Sequence, residues 1–417
     1  MPSLLVDLRP LRSSPDFRRL WSGTVLSSVG GQLTNFAVAL QVFTITHSSA
    51  AVGLVGLSNA VPAIAVGLVG GVLIDSTDRR RLVLITTTLS SLVSIGLAMQ
   101  GFAGSRALWL LYLFVGLQGA IGAIGAPARR SFIPRLLSRD LITAASALTM
   151  VGSYLALIGG PALAGVLTAA GGLKFCYLVD AVTFSAAFYG VFRLPPMYPE
   201  GEPVRRSLSS VGAGMRFIVE NPALRGALLA DLSATLLAMP FSLFPAINAE
   251  RFGGSPRTLG LLSTSIAIGG LLGSTLSGPV KNVARPGRAM LVAGSIWGAA
   301  LVGFGLVHSL PATLALLAIG GAADVLAVVF RTAIVQLATP DVMRGRVSST
   351  ENVVGAAFPQ LGNFRAGVVA SAWTPSASAV SGGLSAAIGA GLIALTLPAF
   401  TRYRHLEPDE HTPIEPG

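Results

Sequence analysis

The stretch GGVLIDSTDRRRLVLI, residues 70–85, decides how the rest of the chain is read. It places Asp75 and Asp78 beside three consecutive arginines, Arg79 to Arg81, with long apolar runs on both sides. In a soluble protein this would be an ordinary charged turn. Composition excludes that reading: of 417 residues, 52% are hydrophobic and 11% charged, against about 25% charged in a typical soluble domain. Mean hydropathy is +0.70. Apolar stretches of about 20 residues recur between short polar breaks, which is the pattern of membrane-spanning helices. The quoted stretch is one of those breaks.

Working outward from it, hydropathy predicts twelve spans, at 19–45, 51–74, 82–103, 107–127, 142–169, 175–192, 224–247, 258–280, 289–308, 310–330, 347–372 and 376–400. The longest break, 193–223, opens with RLPPMYPEGEPVRRS, whose prolines and charges exclude a span. SLSSVGAGMRFIVEN within it reads as a short amphipathic surface helix. Six spans precede this linker and six follow. The expected domains are 1–192, 193–223 as a cytoplasmic linker, 224–404, and a tail at 405–417. With both termini in the cytoplasm, 24 of the 29 basic residues fall in cytoplasmic segments, Arg331 among them. That asymmetry predicts a multi-pass inner-membrane protein with both ends inside. The net charge of +11 is therefore an orientation signal spread along the chain and not a nucleic-acid patch. No cleavable signal is expected, because residues 1–17 are polar and mixed and the first apolar run is too long.

A weak internal repeat supports two halves. A shift of 207 residues lays GLVGLSNAVPAIAVGLVGGVLID (53–75) over GLLSTSIAIGGLLGSTLSGPVKN (260–282), so that Gly53 meets Gly260, Ser58 meets Ser265 and Gly71 meets Gly278. Parallel halves of a transporter would carry such a repeat around a central linker.

The opening stretch resembles the loop 2–3 signature of the major facilitator superfamily: glycine, any residue, leucine, an acid, then glycine and basic residues. Gly71, Leu73, Asp75, Arg79 and Arg80 fit it. Asp78 stands where glycine is usual and Ser76 where a basic residue often stands. The resemblance implies that this loop is a conformational latch, with Asp75 accepting hydrogen bonds across the gap between halves. Anchoring by Arg79 to Arg81 alone is the alternative. In span 5, ALIGGPALAG (156–165) is similar to the glycine–proline signature of antiporters, with Gly160, Pro161 and Gly165 matching and a helix kink at the proline expected. Span 4 has Gln118 and Gly119, but Val115 replaces the arginine of many relatives.

DFRRLWSGTVLSSVG, YLVDAVTF and QLATPDVMRGRVSS resemble the drug:proton antiporter branch, and LFPAINAERF, STSIAIGGLLGSTLSG, ARPGRAMLV, STENVVGAAF and TPSASAVSGG resemble bacterial enterobactin exporters. The resemblance implies the major facilitator fold, an all-α membrane protein of twelve transmembrane helices in two six-helix bundles related by a pseudo-two-fold along the membrane normal. It implies proton-coupled export of a catecholate siderophore by alternating access, or else multidrug efflux of the macrolide or tetracycline type. A monomer in the lipid bilayer with a small-molecule substrate is expected, with no nucleic acid partner and no cofactor beyond the proton gradient.

A carboxylate inside the bilayer costs roughly 2.5–3.5 kcal/mol on insertion scales, so each one is a functional candidate. Asp231 and Asp324, both read as lying toward the cytoplasmic end, are the first choices for proton coupling. Asp180, read as one turn inside the outer end of span 6, forms either a coupling site or a structural bond. Glu351, read at the start of span 11, either caps that helix or pairs with an arginine. Gln32 and Asn35 share a face of span 1 and either meet substrate or bond a neighbouring helix. Arg365, in the outer half of span 11, either attracts an anionic substrate, pairs with Asp180 or snorkels outward. An enzyme is not expected: no phosphate-binding glycine–lysine loop is present, and the histidines at 47, 308, 405 and 411 are too scattered for a metal site. One cysteine, Cys176, excludes an internal disulfide.

Overall fold

Short polar residues and prolines mark where the helices begin, as their chemistry requires. In a computed structural model, which describes residues 7–198, 208–278 and 283–403 and gives backbone alone at 68–76 and 208–210, the Ser14 hydroxyl accepts from the Phe17 amide at 3.1 Å and opens α1, Pro15–Thr46. Ser48 does the same for Ala51 at the head of α2, Ser49–Ser76. The Asp78 carboxylate accepts from the Arg80 amide at 3.0 Å and opens α3, Arg79–Phe102. Helices α4 (Leu108–Arg130), α5 (Ile142–Gly171) and α6 (Leu173–Phe192) complete the first half. Between α5 and α6 the chain turns on Gly172 at φ +91°, a conformation open to glycine and closed to most side chains.

The linker holds the expected amphipathic helix, α7, Leu208–Glu220. Asn221 then accepts from the amides of Ala223 and Leu224 and opens α8, Pro222–Leu237. The second half continues through α9 (Phe244–Arg251), α10 (Pro256–Thr275), α11 (Pro286–Leu306), α12 (Leu310–Ala338), α13 (Asp341–Ala372) and α14 (Pro375–Thr396). Among the described residues every regular element is helical. Ten segments are long and apolar enough to cross a membrane. Helices α1 and α13, 32 residues each, lie alongside them but are diluted by polar residues.

Three expectations are corrected. Span 7 is two helices, α8 and α9, because Pro240 removes a backbone donor and the chain makes a 3₁₀ turn at Phe241–Leu243. Helix α12 continues to Ala338, so Arg331 lies within a helix and not in a terminal segment. Helix α13 starts at Asp341, six residues earlier than hydropathy predicts. Hydropathy stops at a charge, whereas the helical hydrogen-bond ladder does not.

Successive long segments alternate direction, with α8 and α9 together forming one of them, giving an end that carries the termini (the terminal end) and a distal end. Packing repeats between halves: α1 lies on α5 and α6, α2 on α4 and α3 on α6, and correspondingly α8 lies on α13 and α14, α10 on α12 and α11 on α14. Among the described residues, only α2 with α13 and α5 with α10 form broad faces across the halves. At the distal end one buried cluster joins both halves, with Leu33, Phe36 and Tyr177 beside Phe244, Trp297 and Phe304. Toward the terminal end the buried clusters belong to one half each. Among the described residues, the buried cores of the halves thus meet distally and stay within their own half toward the termini.

Candidate functional site

Glycines make the distal seal. A Cβ on Gly53 of α2 would lie 2.7 Å from the Phe364 Cα of α13, and one on Gly260 of α10 would lie 2.5 Å from the Pro161 carbonyl of α5. These are the two positions that the 207-residue shift superimposes. Their neighbours behave alike too: Ser58 donates back to the Leu54 carbonyl and Ser265 to the Leu261 carbonyl. The α5 candidates sort by face. Gly165 admits the backbone of Pro256 and Arg257, while Gly160 admits Gln32 of α1. The helix runs unbroken through Pro161. Small residues here allow helices to approach closely, in the manner of membrane helix interfaces. The Thr264 hydroxyl bonds the Ile158 carbonyl (3.1 Å), and the Tyr154 hydroxyl bonds the Gly270 carbonyl (3.3 Å). Farther from the distal end, a Cβ on Gly67 of α2 would make only an ordinary contact with Ala123 at 3.9 Å, and one on Gly355 of α13 would meet nothing within 4 Å.

Below the seal each half holds one acid knot. In the first half, the Thr34 and Ser94 hydroxyls each donate to Asp180 Oδ2 at 2.7 Å, and Gln118 donates to Ser94 Oγ at 3.1 Å. Four helices, α1, α3, α4 and α6, meet there. Asp180 is 1% exposed, and its Oδ1 has no hydrogen-bond partner among the described residues. It sits two turns inside α6, about 10 Å from Leu173, because the helix starts earlier than the apolar run suggests.

In the second half, Arg331 of α12 donates to Asp231 Oδ2 of α8 at 2.6 Å. Asp324, two turns before Arg331 on the same face of α12, and Glu351 of α13 both lie within electrostatic reach of Asp231 and Arg331. One guanidinium, bonded to Asp231, therefore has two further carboxylates within its electrostatic reach. The long α12 puts Asp324 at the midpoint of its 29 residues, not in its terminal part. Glu351 lies about 15 Å along α13 from Asp341, so it does not cap that helix. Helix α7 covers this cluster from the terminal side. Thr350 donates to the Val211 carbonyl at 2.9 Å, and Ile218, Arg331 and Glu351 border a cavity of about 20 Å³. That volume suits a single water.

The remaining candidates disperse. Gln32 faces α5, while Asn35 is exposed at the level where α1 enters the distal seal. Arg365 does not meet Asp180. Its guanidinium donates to the Leu237 carbonyl at the broken end of α8, where free carbonyls favour a cation. Asn363 secures the same break, its side chain accepting from the Phe241 amide at 3.1 Å and its carbonyl from the Ser242 hydroxyl at 2.7 Å. In the loop after α2, Asp78 accepts from the Met197 amide at 2.9 Å, the Arg79 amide donates to the Met197 carbonyl at 3.0 Å, and Arg80 donates to the Phe192 carbonyl at 2.5 Å. These bonds hold the loop to its own half. At Gly71 and Asp75 the backbone alone is described, so the Asp75 side chain and the packing at Gly71 lie outside the described residues.

Residues that sequence reading missed are Thr34, Ser94 and Arg331. The signal for Arg331 was present, since apolar VLAVVF precedes it, TAIVQLA follows it, and its spacing from Asp324 is two helical turns. Thr34 and Ser94 carried none, because hydroxyls are common along these helices and only packing selects two of them. No cluster of metal-ligating side chains occurs among the described residues.

Helices sealed by glycines across two halves, with charged knots inside each half, define a polytopic membrane protein of transporter type. The chain belongs to the transmembrane secretion effector family of the major facilitator superfamily, whose model matches residues 6–415. It is 30% identical over 412 residues to the enterobactin exporter of Shigella boydii serotype 18, covering 97% of each chain. The fold is similar to that of a POT family transporter in complex with 5-aminolevulinic acid, with TM-score 0.74, 12% identity, and 93% of this chain and 97% of that one covered. It is also similar to a bacterial homologue of the iron transporter ferroportin, at 17% identity with 93% and 99% covered. The TM-score is 0.69 against the inward-facing state of that homologue and 0.58 against its outward-facing state with soaked iron.

Proposed function

We propose that the protein exports a catecholate siderophore of the enterobactin type across the bacterial inner membrane, by alternating access and driven by the proton gradient. The observation that carries this reading is the full-length 30% identity to an enterobactin exporter. In this reading, residues 1–192 and 224–404 form two six-helix bundles making twelve spans, with 193–223 as cytoplasmic linker, 405–417 as cytoplasmic tail, and the protein acting as a monomer. The repeated packing and the paired glycines Gly53 and Gly260 support two related bundles. The excess of arginine at the terminal end supports placing that end in the cytoplasm. The better match to the inward-facing ferroportin homologue agrees with that placement.

Substrate would enter the gap between bundles from the terminal end and reach Asn35, which is exposed where α1 enters the distal seal. Asp324 would carry the proton. Asp231 already holds the guanidinium of Arg331, so Asp324 and Glu351 leave the cluster with excess negative charge that proton uptake relieves. The loop after α2 would serve as the latch that holds the terminal end when the distal end opens.

Labelled enterobactin should accumulate in inside-out vesicles under an imposed proton gradient, and Asp324→Asn should abolish the gradient dependence while the protein still folds. Accumulation of a macrolide or hydrophobic dye in place of enterobactin would overturn the siderophore reading and assign a multidrug pump. Gradient-driven transport by Asp324→Asn would remove the proton from that residue.

A further inference from the structure

Helix α11 carries an exposed stripe, Arg288, Val292, Ile296 and Ala299, on the side turned away from the gap between halves. Two open grooves flank it. One, of about 620 Å³, lies between α11 and α14, and the other, of about 490 Å³, lies between α11 and α12. They share the ridge Val292 and Ile296, and at the terminal end they share Arg285 and Arg288.

The terminal end of this site is built by the short turn Pro398–Thr401. Phe400 seats against Gly287, where a side chain would collide with its backbone, and this brings Arg402 into the first groove opposite Arg288. None of the three arginines has a carboxylate partner among the described residues, and no acid lines either groove. Below the arginines the walls are apolar or small: Ala390, Gly391 and Ala394 on α14 in one groove, and Leu326 and Phe330 on α12 in the other.

We propose that these grooves hold one anionic phospholipid astride α11, with its phosphate on Arg285, Arg288 and Arg402 and one acyl chain in each groove. The dimensions fit. From Arg288 to Ala299 the helix rises about 16 Å, close to half of the roughly 30 Å hydrocarbon core, so the grooves run the depth of one leaflet. Guanidinium groups bind phosphate oxygens in a paired, planar geometry, and basic sites at this level of a membrane protein suit anionic headgroups. Two grooves that meet at one basic end match the shape of a two-chain lipid. A free phosphate would use the arginines but leave the apolar grooves without a role. The site depends on the membrane reading alone and stands whatever substrate the protein carries.

The test is lipid binding to the purified full-length protein, delipidated in detergent and titrated with dioleoyl phosphatidylglycerol or dioleoyl phosphatidylcholine under native mass spectrometry. One phosphatidylglycerol should bind at least about tenfold more tightly than phosphatidylcholine. Arg288→Ala and Arg402→Ala should each weaken it about fivefold. Gly391→Phe should weaken it as much without touching a charge, since a Cβ there meets no neighbour and the ring fills the groove. Arg81→Ala, an exposed arginine at the terminal end of the other half, should leave binding unchanged. Equal affinity for both lipids, or loss in Arg81→Ala equal to that in Arg288→Ala, would overturn the site in favour of general surface charge. Full binding by Gly391→Phe, or displacement of the lipid by inorganic phosphate alone, would overturn the grooves as its acyl seat. Binding seen only after removal of 404–417 would assign the arginines to the chain's own acidic tail, which carries Glu407, Asp409 and Glu410.

Discussion

Asp180 and Asp231 are both buried aspartates on membrane helices, at 1% and 8% exposed, yet their surroundings differ in kind. Asp180 is held by two hydroxyls, Thr34 and Ser94, and by no cation. Asp231 is held by Arg331, and two further acids lie within reach of that same guanidinium. Hydroxyl donors fix a geometry without adding charge, so the first-half knot ties α1, α3, α4 and α6 together. A guanidinium bonded to one carboxylate with two more within its reach brings charge as well as geometry, and under the proposed function that is where a proton would act. The two buried aspartates are thus held by different chemistry, hydroxyls in one half and a guanidinium in the other.

Removing Arg331 breaks this contrast most severely. Arg331→Met leaves Asp231 buried without a counterion, which costs about 3–5 kcal/mol. Melting temperature in detergent should fall sharply, and the double variant Asp231→Asn/Arg331→Met should recover most of the loss. A single variant as stable as the parent would mean that the pair carries no charge worth balancing.

The seal gives an intermediate effect and compares the halves directly. Leucine at Gly53 or at Gly260 would collide with Phe364 or Pro161, and overpacking of this kind costs about 1–3 kcal/mol of the distal-closed state. Asn35→Cys, in a Cys176→Ala background, should then become reactive to a membrane-impermeant thiol reagent added from the distal side. Matching responses from the two glycines would support their equivalence, and a response from only one would break the pseudo-symmetry.

The smallest effect is expected at Asp180. Asn retains an acceptor for Thr34 and Ser94, so Asp180→Asn should lower stability by about 1 kcal/mol and leave gradient dependence intact. A folded Asp180→Asn protein that lost gradient-driven transport would move the proton to the first half and reverse the assignment made above.

Hydropathy alone located every long helix, because desolvating a polar stretch in lipid is costly enough to dominate local preference. It misplaced the ends at Arg331 and Asp341, and it read through the break at 238–243. AMPFSL is apolar, so the interruption is written only in Pro240. Arg365 shows the same limit at one residue. Its presence in a span was plain, but its partner is the Leu237 carbonyl that the break sets free, and a break that was not predicted cannot supply a partner. The glycines of span 5 were recognisable as a motif, yet their use as contact faces for Gln32, Pro256 and Arg257 depends on helices far away in sequence.

By itself, the sequence determined the solvent this protein lives in, the order of its long apolar runs, and the spread of basic residues along the breaks between them. Each of these rests on composition along a short window, where the free energy of transfer acts residue by residue. Tertiary structure alone decided which acid has a cation and which has hydroxyls, where the two halves touch, and which arginines stay unpaired beside a groove. Those outcomes depend on distances between side chains on helices that the chain brings together only after it folds, and no local window contains them.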